Sequence, residues 1–162
     1  MDSLGYGTTT VPIGSLIDVG DAQALEIEQV DYIYQMYDET NDDYEVLSPG
    51  RPFGSDISAG AQLMDRNAQT FLAANDNNLI SSSALLYDYA NIVSADSDFH
   101  PDDFQKTNGR FVVNDEVYLT GFLSATTQAN TELAITCRIR AKVVKLSTRD
   151  WMAISLETVQ NE

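Results

Sequence analysis

Between Glu132 and Val143 the chain alternates without a break. Leu133, Ile135, Cys137, Ile139, Ala141 and Val143 hold the odd positions, and Glu132, Ala134, Thr136, Arg138, Arg140 and Lys142 the even ones. Period two sustained over a dozen residues belongs to a β-strand, whose successive side chains point to opposite faces. At about 3.4 Å per residue the strand spans roughly 40 Å, so it has to run the length of a small domain. One face packs on a core, where Cys137 serves as a small hydrophobe, and the other carries bases outward. A chain organised around such a strand is committed to sheet.

The rest of the chain fits that commitment. Thr8–Ile17 contains Pro12, which removes a ladder donor, so residues 1–17 read as an edge strand or N-terminal arm. Residues 24–37 form a second long strand with a change of phase: Leu25 and Ile27 share one parity, and Val30, Tyr32, Tyr34 and Met36 the other. That switch predicts a β-bulge near Glu28–Gln29. The run 38–43 is a turn, with Val46 and Leu47 opening the return strand. Residues 48–109 read as an insertion. Ala61, Met64, Ala68, Phe71 and Leu72 fall at helical spacing and predict one inserted helix around 58–74. A strand from Ser83 to about Val93 follows, then a long polar loop over 94–109. Further strands are predicted at 110–113, 116–123, 132–146 and 151–159, with the STRD segment before the last as a turn. The fold class implied is all-β for the main part: a single domain over residues 1–162, built as an antiparallel β-sandwich.

Charge narrows the partners. Twenty-five acids face nine bases, for a net charge of −16. An excess of this size disfavours direct nucleic-acid binding, which needs a basic patch to neutralise phosphates. The self-repulsion is best tolerated where salt screens it, which suits a halophilic or marine setting. The distribution is uneven: residues 1–50 carry eleven acids and no Lys or Arg, whereas five of the nine bases lie between Arg138 and Arg149. Arg138, Arg140, Lys142 and Lys145 are therefore the interface candidates. They either pair with acids inside the fold or meet acidic surface on another copy of the chain.

Signals for chemistry are few, and no enzyme is expected. The one histidine, His100, precedes Pro101 in an acidic loop with no nucleophile motif around it. A single His and a single Cys are a poor set for zinc, and no glycine-rich phosphate loop is present. No organic cofactor is implied. Two oxygen-rich clusters are candidates for Ca²⁺: Asp38, Asn41, Asp42 and Asp43, and then Asp96, Asp98, Asp102 and Asp103. Neither has EF-hand spacing, and solvated acidic loops are the plainer alternative. Tyr32, Tyr34, Tyr37, Tyr87 and Tyr89 suggest either a carbohydrate platform or core and interface anchors. A carbohydrate- or ligand-binding sandwich, with or without Ca²⁺, is thus the alternative function. The opening segment lacks a basic stretch and a continuous apolar run, so no secretory leader is expected, and no transmembrane segment is foreseen.

The C-terminal half carries a resemblance. Asp115–Gly121 (DEVYLTG), the polar turn Ser124–Thr131, the long basic-ended strand from Glu132 to Leu146 and the hydrophobic segment from Trp151 with its polar tail resemble the closing strands of small virion coat proteins. The run ALEIEQVDYIYQM resembles an early strand of the same proteins, whereas 48–109 has no counterpart in them. The resemblance implies a jelly-roll-like sandwich in the virion, acting as a capsid or capsid-decoration subunit. It also implies a homo-oligomer within a shell, in contact with other virion proteins. The acidic, Arg-over-Lys composition suits a virus of archaea or of a marine or halophilic host.

Overall fold

In a computed structural model that describes residues 4–48, 50–89, 93–98 and 110–160, the chain forms two antiparallel sheets packed as a β-sandwich. The strands are β1 (Gly5–Pro12), β2 (Gln23–Asp38), β3 (Asp43–Glu45), β4 (Ile57–Met64), β5 (Leu79–Asp88), β6 (Val93–Asp98), β7 (Arg110–Val112), β8 (Glu116–Leu123) and β9 (Thr131–Lys145). A helix, α1 (Thr148–Gln160), follows. One sheet has the order β1-β8-β4-β5-β6. In the other, β2 is central, with β9 along one side and β3 and β7 at opposite ends of the other side.

The faces follow from parity. Leu25, Ile27 and Val30 of β2 meet Leu63, Ile80, Val112 and Val117 in one half of the core, with Ile13 and Ile17 closing it. Phe53, Ile57, Ala59, Leu85, Tyr87, Leu123 and Leu133 fill the other half. Between the halves the contact turns polar. The Tyr34 hydroxyl donates to Ser83 at 3.2 Å, and the Tyr32 hydroxyl accepts from the Leu63 amide at 3.1 Å. Leu63 stands at a register shift of β4, where a backbone donor needs such a partner.

β1 is the edge strand that Pro12 requires, pairing with β8 from Gly5↔Leu123 to Pro12↔Glu116. The predicted bulge is present as a register shift between Ile27 and Gln29 that leaves Glu28 as the extra residue. The return strand after the acidic turn begins earlier than predicted, at Asp43, so Val46 and Leu47 lie beyond it.

Three segments differ from the sequence expectation. Residues 57–64 are β4 rather than the start of a helix over 58–74, so the chain between 48 and 109 supplies strands to the sheet. The misleading pattern arose because β4 is covered on both faces. Its odd residues face the core, while its outer face lies beneath the 65–78 loop, where Leu72 packs on Met64 and Leu79. Two-sided burial erases the alternation that identifies a strand. Trp151–Val159 is helical instead of a final strand. Ser147 and Asp150 cap it reciprocally: the Ser147 hydroxyl donates to the Asp150 carboxylate at 2.7 Å and accepts the Asp150 amide at 3.2 Å. The supposed turn is a helix start. Finally, the predicted 94–109 loop begins as strand β6, and residues 99–109 lie outside the described residues.

The 65–78 loop is fastened in two ways. Gln62, nearly fully buried, holds Leu72 by both backbone groups. Its amide oxygen accepts the Leu72 N–H at 2.7 Å, and its amide nitrogen donates to the Leu72 carbonyl at 3.1 Å. At the loop's base the buried Asp65 carboxylate pairs with Arg110 at 3.0 Å, and Arg110 also donates to the Asn77 carbonyl. Burial pushes the Asp65 carboxyl up, and the Arg110 guanidinium pulls against that shift.

Candidate functional site

The outer face of the β2–β9 sheet carries three of the four interface candidates, Arg138, Arg140 and Lys142, and the bulge is what gives it its form. Before Glu28 the even residues of β2 face outward; beyond it the odd residues do. Glu26, Glu28 and Asp31, of mixed parity in the sequence, therefore come onto one face as a row. Beside them on β9 runs the row Lys142, Arg140 and Arg138. Lys142 lies 3.2 Å from both Glu26 and Glu28, Arg140 is 3.6 Å from Glu28, and Arg138 is 3.5 Å from Asp31. Lys145, of the opposite parity, pairs with Asp21 of the short 3-10 turn that precedes β2. Of the two arrangements the sequence allowed, pairing inside the fold is thus present in the single chain.

Exposure divides the two rows. The side chains of Arg138, Arg140 and Lys142 are 75%, 56% and 55% exposed, against 35%, 19% and 20% for Asp31, Glu28 and Glu26. The bases reach over their carboxylates, and their charged ends are what this face presents to a partner. Hydrogen bonds from Lys142 to Glu28 and Glu26 hold its ammonium above the ordinary lysine range. Ion pairs this exposed contribute little to folding stability, so their energetic value is open to an incoming surface.

Exposed apolar groups adjoin the basic strand in sequence. Val143 is exposed at the end of β9, and Met152 and Leu156 are exposed on α1. The helix is tethered to the body by the Trp151 indole, which donates to the Gln23 carbonyl at 3.1 Å. No helix among the described residues is long and apolar enough to cross a membrane.

The calcium candidates are only partly assembled. Asp38 lies with Asp43 and Glu45, their carboxylate oxygens within 4.8 Å of one another. Asp38 is already engaged by other groups. Its Oδ1 accepts the Thr40 amide at 2.8 Å, and its Oδ2 accepts Arg51 at 3.0 Å and the Asn41 side chain at 3.1 Å. Arg51 and then the Thr40 amide hold its carboxyl below the usual carboxylate range. Asp42 instead accepts the Tyr37 hydroxyl at 2.6 Å, which pushes that phenol up to about 12. Asp96 and Asp98 fall on β6, while Asp102, Asp103 and His100 lie outside the described residues.

The tyrosines are divided among different surroundings. Tyr32 and Tyr34 direct their hydroxyls into the sandwich, and burial drives the Tyr32 phenol far above its ordinary range. The Tyr87 hydroxyl accepts the Gly50 amide and donates to the Ser48 carbonyl. Tyr37 packs on Tyr44 at the β2–β3 turn with ring centroids 5.0 Å apart, and Tyr89 is half exposed. Cys137 lies half-buried against the core beside Ile139 and Ala141.

Gln62, Asp65 and Arg110 were not singled out by sequence. Each is an isolated polar residue whose partner is remote, and no spacing rule finds such a pair. Comparison with family models, with curated proteins and with solved structures yields no match for this chain.

Proposed function

We propose that this chain is a structural subunit that acts by self-assembly, as the coat or a decoration protein of a virion shell. One observation carries this proposal. A single continuous segment, from Arg138 to Leu156, carries five of the nine bases, three of them in one outward row, and the exposed Met152 and Leu156 of α1 follow that row. In a chain of net charge −16 such a strip is where acidic surface of another copy can settle, with apolar groups available to anchor it. The bases steer and fix register, the apolar groups supply affinity, and no catalytic step is assigned.

The strand pairing supports the jelly-roll form of this proposal. β1 pairs with β8, β2 with β7 and β4 with β5, so the pairs nest as in a long hairpin rolled across two sheets. β8 also pairs with β4, which brings the two ends of that roll side by side. The 65–78 loop takes the place of the innermost strands, and β9 adds an outer strand to the second sheet. The resemblance of the Asp115–Leu146 run to closing strands of virion coat proteins points the same way, although Trp151–Val159 is a helix where those proteins have a last strand. The acidic surface suits salty surroundings.

Native mass spectrometry and electron microscopy of the purified chain, across protein concentration and from low to molar salt, test the proposal. Discrete symmetric assemblies are expected. A chain that remains monomeric throughout overturns it.

A further inference from the structure

We propose that a second copy of the chain packs on the outer face of the β2–β9 sheet, about a twofold axis parallel to the strands. This rests on the self-assembly proposed above and specifies one of its contacts. The paired rows on this face are locally balanced although the chain is not. Three acids (Glu26, Glu28 and Asp31) stand against three bases (Lys142, Arg140 and Arg138), with Glu132 the further acid of outward parity on β9, whereas the whole chain carries −16. A second, equally acidic copy approaches these rows without net repulsion.

The arrangement in rows then selects the geometry. Acids lie along β2 and bases along β9, on neighbouring strands about 4.8 Å apart. A twofold axis parallel to the strands and midway between them lays β2 of one copy over β9 of the other. Each base then faces the carboxylate row of the partner at the level of its own intrachain acid, and the match repeats by symmetry. An axis across the strands lays β2 over β2 and β9 over β9, so that like charges meet. Facing sheets sit about 10 Å apart, a gap that Arg and Lys side chains span. The bases here already extend past their acids into that gap. Beyond the charged rows Ile33, exposed and paired with Thr136 on β9, supplies an apolar spot that the same axis lays over Thr136 of the second copy. The contact is isologous, so each surface serves as its own complement.

Three row variants of the full chain test this by sedimentation velocity, with circular dichroism to verify folding. E26K/E28K/D31K makes the face wholly basic, and R138E/R140E/K142E makes it wholly acidic. Each is expected to self-associate at least tenfold more weakly than wild type, yet the two mixed in equal amounts should form a heterodimer. The six-residue exchange of both rows restores the charge pairs within the chain and between copies, and should return association to within about threefold of wild type, a difference under about 0.7 kcal/mol. The axis is read by cross-linking in a C137A background, where I33C and T136C are each the only cysteine. Under this axis Ile33 stands about 10 Å from Thr136 and about 11 Å from Ile33 of the second copy, so a short bismaleimide should join I33C both to itself and to T136C. An axis across the strands through the charged rows instead sets the two Ile33 residues roughly 30 Å apart. Row variants that associate as tightly as wild type, or an associating chain in which I33C joins neither itself nor T136C, overturn the contact and leave self-assembly standing. A wild-type chain that is monomeric at every salt and protein concentration overturns both.

Discussion

Replacing Gln62 by leucine removes the clasp on the 65–78 loop while keeping the volume beneath it. The wild-type amide satisfies the Leu72 N–H at 2.7 Å and the Leu72 carbonyl at 3.1 Å, with Gln62 itself nearly fully buried. Each such bond is worth about 1 kcal/mol net, so losing both costs about 2 kcal/mol. If the loop stays seated, two dry backbone groups add about 1–3 kcal/mol each. If it lifts, water satisfies them, but the cover on Met64 and the ring cluster of Phe71, Phe122 and Tyr6 opens. The loop takes the cheaper route, so a loss of about 3 kcal/mol is expected, equivalent to roughly 6–12 °C in Tm for a chain of this size. Urea unfolding measures the global change, and hydrogen exchange at the Leu72 amide reports the local one. Q62E separates the two bonds, because it retains an acceptor for the Leu72 N–H and sets a carboxylate against the carbonyl; it should be no more stable than Q62L. A Q62L variant within about 0.5 kcal/mol of wild type, the usual range for surface substitutions, with Leu72 exchange unchanged, refutes the clasp.

The Tyr32 hydroxyl predicts that Y32F leaves the Leu63 amide without its acceptor inside the sandwich, at a cost of about 1–3 kcal/mol in urea unfolding. Asp38 predicts the acid limb of stability. Its carboxyl is held below the usual range by Arg51, so its contribution is fully present above the unfolded value near 3.9 and is lost as pH falls through the lower folded value. The Tm gap between wild type and D38N should therefore be open at pH 6 and close below about pH 4, as followed by thermal melts across pH. Lys142 gives the opposite sign. Its raised folded value makes its contribution complete below about pH 10.4 and lost as pH rises through that higher value, so K142M should flatten the alkaline limb in the same melts. The capping pair at Ser147 predicts that S147A frays α1 at a cost of about 1 kcal/mol, visible as reduced helical ellipticity with the sheet signal retained.

What was legible in the sequence tracks how each segment is covered. β2 and β9 were found within a residue or so of their bounds, because each leaves period two in its composition. β8 was found as well, although the 65–78 loop covers Thr120 and Phe122 on its outer face. β4 was lost to a helix prediction because its outer residues lie under the 65–78 loop and its inner ones in the core. Covered on both sides, it has no polar face to mark the period. The error at α1 has a different source. Met152, Ile154 and Leu156 alternate like a strand, and only the Ser147–Asp150 cap separates the two readings. A capping pair is worth little energy, but it decides between elements where hydrophobic pattern is ambiguous.

The interface candidates show the same limit at the level of function. The base row on β9 could be read directly, since a strict alternation keeps Arg138, Arg140 and Lys142 together. Its acidic counterpart could not, because Glu26, Glu28 and Asp31 do not share a parity. The bulge was predicted, but its consequence depends on which strand lies beside β2 and in what register. Glu26 opposite Lys142 and Asp31 opposite Arg138 are facts of pairing between segments more than a hundred residues apart. One inserted residue converts two half-rows on opposite faces into a single row beside the bases. With that row in place the paired rows are neutral, exposed and complementary to themselves, which no part of the acidic sequence suggests on its own.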